Sequence, residues 1–304
     1  LNIVCRTLLG ESVAHDMEKV RASIDVVLND FDLLQTPLQK FYERLSIGPE
    51  ARFKAARATL DEVVYRMIDE HRQAGDDQGD LLSMLLLSGM PDGQVRDEAL
   101  TIFLAGHETT ANALTWAWYL LAQHPEAAAR LNDELEALPD IPAPEDAARL
   151  PYTRQVLTEA MRLYPPAWAV ARRALQDVPL GDDTIPKNGI FIMSQWVVHH
   201  DPRWYPDPYR FDPGRWTPAF EAARPRMAYF PFGAGSRICI GEHFAWHEGI
   251  LALAILARRW KLHRIGNAPV GIRTRITLRS SRPVLMRLEK RACSTMPKQT
   301  VYAV

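Results

Sequence analysis

Apolar residues recur at helical spacing along the first half of the chain. The opening stretch, LNIVCRTLLG, reads as part of an apolar helix, and Glu11 to Leu34 carries a second stripe that ends near Thr36–Pro37. Pro49 to Gln73 repeats the pattern, with VVYRMI on one face, until GDDQGD interrupts it. Asp80 to Ser88 predicts a short apolar helix, and a long one is expected from about Gln94 to Gln123 after the MPDG turn. His124–Pro125 closes that helix and opens the next, PEAAARLNDELEAL. Pro125 suits a first helical position, where its missing N–H would have had no partner anyway. IPAPEDAARLP is a loop or short turn, and a further helix spans about Tyr152 to Tyr164 before Pro165–Pro166 stops it.

The pattern then changes. AVARRALQD, VPLGDDTIP and GIFIMS predict short strands separated by turn residues. Asp201 to Pro231 is rich in Pro, Arg and aromatic residues without a clear period and reads as a long ordered meander. A helix from about Glu242 to Arg259 follows, and KLHRI, RTRITLR and PVLMRLE predict strands near the end. No internal repeat or Gly/Ser linker divides the chain, so one mostly helical domain with a small sheet region is the simplest organisation.

Composition narrows the picture. The chain has 304 residues, 47% of them hydrophobic, and a formal net charge of −1. It can bury a sizeable core, and it has neither the basic excess of a nucleic-acid binder nor the acidic excess of a disordered tail. No apolar run is long enough to span a bilayer; Ile250 to Ala257 is far too short. Cys5, Cys239 and Cys293 are too few and scattered for a disulfide framework and fit a reducing compartment. The first residue is not Met and no signal pattern follows. The protein is therefore expected to begin upstream, where a targeting segment or membrane anchor would lie if it has one.

Chemistry concentrates in a few stretches. In FGAGSRICIG, Gly233, Gly235 and Gly241 permit backbone angles closed to other residues and a close approach to a flat surface. Cys239 stands just before a predicted helix, whose N-terminal amides and dipole favour a thiolate. Arg237 adds a fixed cation that suits an anionic group of the same ligand. The arrangement suits a metal centre taking one protein sulfur, since a structural zinc site would need three more ligands. A small buried hydrophobe is the other reading of Cys239.

In LAGHETTANA, Ala105, Gly106, Glu108, Thr109 and Thr110 interrupt an apolar helix. Gly costs about 1 kcal/mol there against Ala, and Thr can bond back to a carbonyl one turn earlier. A small-residue groove beside hydroxyl and carboxyl groups suits a ligand pressed on a helix with protons delivered to it; a polar stripe facing solvent is the alternative. His107–Glu108 does not complete a zincin HExxH, because Ala111 stands where the second His belongs. Glu159 and Arg162, three apart among apolar neighbours, share a helix face. A buried pair with a further partner fits that setting, and Arg215 in FDPGRW is the candidate. His243 and His247 are four apart, but no third ligand accompanies them, so a surface or core pair is favoured.

Taken in order and spacing, these motifs make the chain resemble the cytochrome P-450 superfamily of haem-thiolate monooxygenases. Phe232, Gly235, Arg237, Cys239 and Gly241 match the haem-binding loop Phe-x-x-Gly-x-Arg-x-Cys-x-Gly in full. Ala105, Gly106, Glu108, Thr109 and Thr110 match the oxygen-activation motif, and Glu159 and Arg162 the Glu-x-x-Arg pair. Arg215 falls where the third charged member sits, with Gly214 in place of a common Glu and Trp216 in place of a common Phe.

The resemblance implies a mainly α fold with small β-sheets, the C-terminal two thirds or so of the cytochrome P-450 fold. Residues 1–290 would be a haem domain lacking its N-terminal portion, and 291–304 a polar C-terminal tail. It implies haem b (iron protoporphyrin IX) with Cys239 as metal ligand. Arg237 would pair with a propionate, and Arg172, or Arg173 instead, with another. Phe232, Gly233, Gly235 and Gly241 would pack the loop under the porphyrin, with Ala105 and Gly106 also against the cofactor. Glu108 and Thr109 would be catalytic, handling protons as dioxygen is used. The reaction implied is hydroxylation of a hydrophobic organic substrate, of fatty-acid or terpenoid type.

Two electrons would come from a separate electron-donor protein (ferredoxin, flavodoxin or flavin reductase), because no GxGxxG follows a strand and the length leaves no flavin domain. Arg226, Arg258, Arg259 and Lys261 are candidate docking contacts or a plain solvated basic face. AGHETT with EAMRLYPPAW resembles soluble bacterial relatives of the fatty-acid type, which implies a cytoplasmic protein. Two rival readings remain. A peroxide-using hydroxylase of the same family is opposed by the Glu108–Thr109 pair, and a truncated, non-catalytic haem-binding remnant is favoured by the expected N-terminal gap.

Overall fold

The computed structural model describes residues 2–9, 16–34, 48–139 and 142–291. Within them the helices are α1 (Asn2–Leu9), α2 (Met17–Leu34), α3 (Pro49–Ala74), α4 (Leu81–Leu87), α5 (Asp92–Leu121), α6 (Pro125–Glu136), α7 (Pro151–Leu163), α8 (Gln195–His199), α9 (Pro218–Ala223) and α10 (Glu242–Arg259). The strands are β1 (Val170–Arg173), β2 (Val178–Leu180), β3 (Asp183–Ile185), β4 (Ile190–Met193), β5 (Trp260–Arg264), β6 (Ile272–Thr274), β7 (Leu278–Ser280) and β8 (Met286–Lys290). The predicted stop of the second helix near Thr36–Pro37, its start before residue 16, and the tail at 292–304 lie outside the described residues. By internal contacts the chain divides into two compact units, Leu1–Thr109 and Thr110–Val304.

In the first unit α2 packs along α3. Leu60, Val63, Val64, Met67 and Ile68 of α3 are buried at i, i+3, i+4, i+7, i+8 spacing, one apolar face of a helix. Gly75, at φ +75°, ends α3 and donates its N–H to the His71 carbonyl at 3.1 Å, a left-handed cap that glycine adopts without strain. Asp80 caps α4 by accepting from the Ser83 N–H at 2.8 Å.

The core of the second unit gathers Trp116 and Leu120 of α5, Leu131 and Leu135 of α6, Val156, Leu157 and Ala160 of α7, and Leu253 and Ala254 of α10. Trp116 stacks on Tyr164 with ring centroids 3.9 Å apart. Helix α7 is buried almost all round, including its polar residues Thr153, Thr158, Glu159 and Arg162. Those groups must find partners inside the protein, because an unpaired buried charge is costly.

The strands form four two-stranded antiparallel sheets, β1–β4, β2–β3, β5–β8 and β6–β7. RTRITLR, expected as one strand, is a hairpin: β6 and β7 turn back through Arg275–Thr277, with the Arg275 N–H on the Thr277 carbonyl at 3.1 Å. No Gly, Pro or Asn marks that turn in the sequence. Tertiary bonds hold it instead, from Asn112 Nδ2 to Thr277 Oγ1, from Trp116 Nε1 to the Leu278 carbonyl, and from the Leu278 N–H to the Pro166 carbonyl. Helix α8, which the strand pattern of GIFIMS obscured, starts at a Ser194 cap that accepts from the Val197 N–H.

Candidate functional site

The cysteine loop runs from Phe230 to Gly241, immediately before α10. Gly233 (φ +75°) and Gly235 (φ +71°) take left-handed angles, whereas Gly241, at φ −87°, needs no such freedom. The Gly233 N–H donates to the Phe230 carbonyl at 3.0 Å, and the Cys239 N–H to the Phe232 carbonyl at 2.9 Å. These bonds hold a fixed turn on which Cys239 is exposed. Arg237 is exposed as well, and Ile238 and Ile240 flank the cysteine with 46% and 89% of their surface accessible. Phe232 is half-buried and its ring lies 5.6 Å from that of Trp246.

Beneath the meander lies a buried charge cluster. The Glu159 carboxylate, wholly buried, accepts from Arg162 Nε and Nη2 at 2.8 and 2.9 Å and from Arg215 Nε at 3.0 Å. It also accepts from Trp216 Nε1 at 2.9 Å and from the Asp212 N–H at 3.1 Å. Sequence reasoning brought Glu159, Arg162 and Arg215 together, and the structure does the same. Trp216 adds an indole N–H donor to the carboxylate that no motif in the sequence marks. Arg162 spends its remaining N–H groups on the carbonyls of His199, Pro208 and Arg210. Arg215 reaches the carbonyls of Pro206 and Arg210. One side-chain cluster thus fastens α7 to the meander.

The acid–threonine segment lies on α5. Thr109 Oγ1 donates to the Ala105 carbonyl at 2.7 Å, the backward bond its position predicted. Ala105 is exposed, Thr109 half-exposed and Glu108 buried. A Cβ on Gly106 would meet the Val4 side chain at 3.7 Å, an ordinary contact. His107 is pushed below its usual pKa, chiefly by burial. One turn on, Thr110 bonds to Glu248 of α10, whose carboxyl is pushed up chiefly by burial, with the Thr110 bond opposing. The sequence offered no signal for this pairing, since the two residues lie far apart in the chain.

Arg172 is half-buried on β1 opposite Phe191, with Nη1 on the adjacent Ala171 carbonyl at 2.9 Å; Arg173 is exposed. His243 and His247 are both exposed, and the His247 ring bonds back to the His243 carbonyl at 2.8 Å. Among the described residues no group of three His, Cys, Asp or Glu is placed to hold a metal ion. Arg226, Arg259 and Lys261 are exposed, while Arg258 turns inward to the carbonyls of Leu135 and Leu138 near the end of α6. None of the helices in the described residues is long and apolar enough to cross a membrane.

The donor chemistry of the loop fits haem. An exposed soft thiol between two exposed isoleucines, beside an exposed guanidinium, matches a flat apolar ligand with a thiophilic metal at its centre and anionic groups at its edge.

Comparison with known proteins points the same way. The family model "Cytochrome P450" matches residues 1–284. Cyclooctatin synthase of Streptomyces melanosporofaciens is 39% identical over 91% of this chain and 62% of its own length. Pentalenene oxygenase of Streptomyces avermitilis is 36% identical over 86% of this chain and 60% of its own. A crystal structure of the cytochrome P450DA heme domain superposes with a TM-score of 0.74 at 30% identity, covering 79% of this chain and 56% of that one. The chain thus spans about three fifths of the length of the curated relatives it matches.

Proposed function

The chain belongs to the cytochrome P450 family, and on that premise we propose that its residues 1–290 form the C-terminal part of the haem domain of a monooxygenase that hydroxylates a hydrophobic organic substrate with dioxygen. The observation that carries this reading is Cys239, an exposed thiol on a hydrogen-bonded glycine turn at the start of an 18-residue helix. Haem b, when bound, supplies the dioxygen-activating chemistry, which a thiolate ligand favours by promoting O–O cleavage.

Each residue then has a role in that reading. Cys239 Sγ would ligate the iron. Arg237 and Arg172 would pair with the propionates, with Phe232, Gly233, Gly235 and Gly241 shaping the loop and Ala105 and Gly106 contributing a small-residue surface. The Thr109 hydroxyl donates to the Ala105 carbonyl and keeps its lone pairs open; rotation about χ1 would free the donor for proton transfer. The buried Glu108 carboxylate beside it is the acid partner. This pair favours dioxygen over peroxide as oxidant. Glu159, Arg162 and Arg215 hold the scaffold.

Electrons would come from a separate donor protein, with exposed Arg226, Arg259 and Lys261 as candidate contacts. Relatives named pentalenene oxygenase and cyclooctat-9-en-7-ol 5-monooxygenase support an apolar substrate for this chain too.

The test is the absorption spectrum of the haem-reconstituted, reduced, carbon monoxide-treated chain. A strongly red-shifted Soret band is expected, and Cys239→Ser should abolish it. A folded wild-type chain without that band, or a Cys239→Ser chain that keeps it, overturns the reading.

A further inference from the structure

The cysteine loop is not tied to α7 by sequence, yet it does not hang free. Its first residue, Phe230, donates its N–H to His199 Nε2 at 3.0 Å. His199 is wholly buried, and its own carbonyl accepts from Arg162 Nη1 at 2.9 Å. The ring stacks on Tyr229 with centroids 5.0 Å apart and meets the Phe230 ring edge-on at 5.5 Å. The Tyr229 hydroxyl in turn donates to the Thr158 carbonyl of α7 at 3.0 Å.

From Phe230 the bonding continues into the loop. Its carbonyl accepts from the Gly233 N–H, and the Phe232 carbonyl accepts from the N–H of Cys239 itself. A short series of hydrogen bonds therefore leads from the Glu159–Arg162–Arg215 cluster through one histidine to the backbone of the thiol residue. Nε2 can accept from Phe230 only if it carries no proton, so the ring must be neutral with its hydrogen on Nδ1. Burial disfavours a second proton most, and Arg162, His200 and Arg224 act the same way, against a bond to the Met161 backbone that favours it.

We propose that His199 is the positioning residue that registers the Phe230–Cys239 loop against the buried Glu159–Arg162–Arg215 cluster, by accepting the Phe230 N–H on its neutral ring. The role as cofactor loop rests on the function proposed above; the coupling does not. No motif in the sequence marks His199, because its partners sit 37 residues upstream and 31 downstream.

The test is amide hydrogen exchange of the full chain without haem, comparing His199→Leu, which removes the acceptor, with His199→Gln, whose Oε1 can replace Nε2. Exchange in the segment 229–241 should quicken about tenfold in His199→Leu, while the β5–β8 ladder, as internal reference, stays unchanged. His199→Gln should restore protection to within about threefold. On haem loading, the same order should appear in the fraction of the ferrous–carbon monoxide complex showing the red-shifted band. If His199→Leu leaves the segment as protected as in wild type, or Leu and Gln quicken it equally, the proposal is overturned. If the Leu variant exchanges everywhere, His199→Asn, too short to reach Phe230, replaces it: loss in Asn but not Gln supports the proposal, and equal behaviour refutes it. Because exchange is read without haem, failure here leaves the proposed activity standing, and a missing red-shifted band in wild type leaves the coupling standing.

Discussion

Replacing Glu159 by Gln removes one charge and leaves the side-chain volume almost unchanged. The consequence should be large. The carboxylate is wholly buried and accepts five hydrogen bonds, three of them from the guanidinium groups of Arg162 and Arg215. Glutamine keeps one acceptor oxygen and turns an NH2 toward donors that already point inward. Arg162, also wholly buried, loses its counter-charge. Breaking a buried pair from one side costs about 3–5 kcal/mol, a large part of the roughly 5–15 kcal/mol that stabilises a domain. All eight tryptophans lie between Trp116 and Trp260, so intrinsic fluorescence reports on the unit that contains the cluster. With a urea m-value of about 3 kcal/mol/M, the fluorescence midpoint should fall by about 1–1.7 M. Arg149→Gln is the control: Arg149 pairs with Asp146 at 2.8 Å but is 61% exposed, and its loss should cost only about 0–1 kcal/mol. A Glu159→Gln midpoint shifted no further than that of Arg149→Gln would refute the reasoning.

Three further outcomes follow from the same structure. Gly235→Ala should destabilise the chain by about 1–2 kcal/mol through backbone strain alone, since φ is +71° and a Cβ there meets nothing within 4 Å; Gly241→Ala, at φ −87°, should be nearly neutral, and paired thermal melts compare them. His199 is pushed from 6.5 down to about 3, chiefly by burial, so the unfolded chain takes up a proton that the folded one refuses. Its contribution to stability is present above pH 6.5 and lost as pH falls toward about 3, at up to about 1.4 kcal/mol per pH unit; urea titrations at stepped pH should show this acid slope reduced in His199→Gln. Finally, in a Cys293→Ser background a thiol reagent at pH 8 should modify only the exposed Cys239 of the folded chain. Cys5 is wholly buried with its thiol pushed up to about 11, and it should react only after denaturation; two fast thiols in the folded chain would contradict this placement.

Much of the molecule is written locally. The predicted helices over Pro49–Gln73, Gln94–Gln123 and Glu242–Arg259 agree with α3, α5 and α10 to within two residues, because apolar spacing, caps and prolines act within a turn or two of chain. The family resemblance is local as well, carried by short motifs that each span only a few residues. Glu159 and Arg162 announce themselves by sharing a helix face.

Tertiary contact decided the rest. The hairpin within RTRITLR is bent by Asn112, Trp116 and Pro166, all distant in sequence, where local alternation favours a continuous strand. Trp216 became a hydrogen-bond donor to Glu159, and Arg258 a cap for carbonyls near the end of α6, only when chain segments met. His199 has no signature because one hydrogen bond to a backbone amide constrains a position in space rather than a spacing in sequence. Local pattern fixes most of the helices and where a thiol, an acid and a threonine stand along the chain. The structure alone decided which buried groups answer one another, because a buried charge or amide takes whatever partner the fold brings within reach.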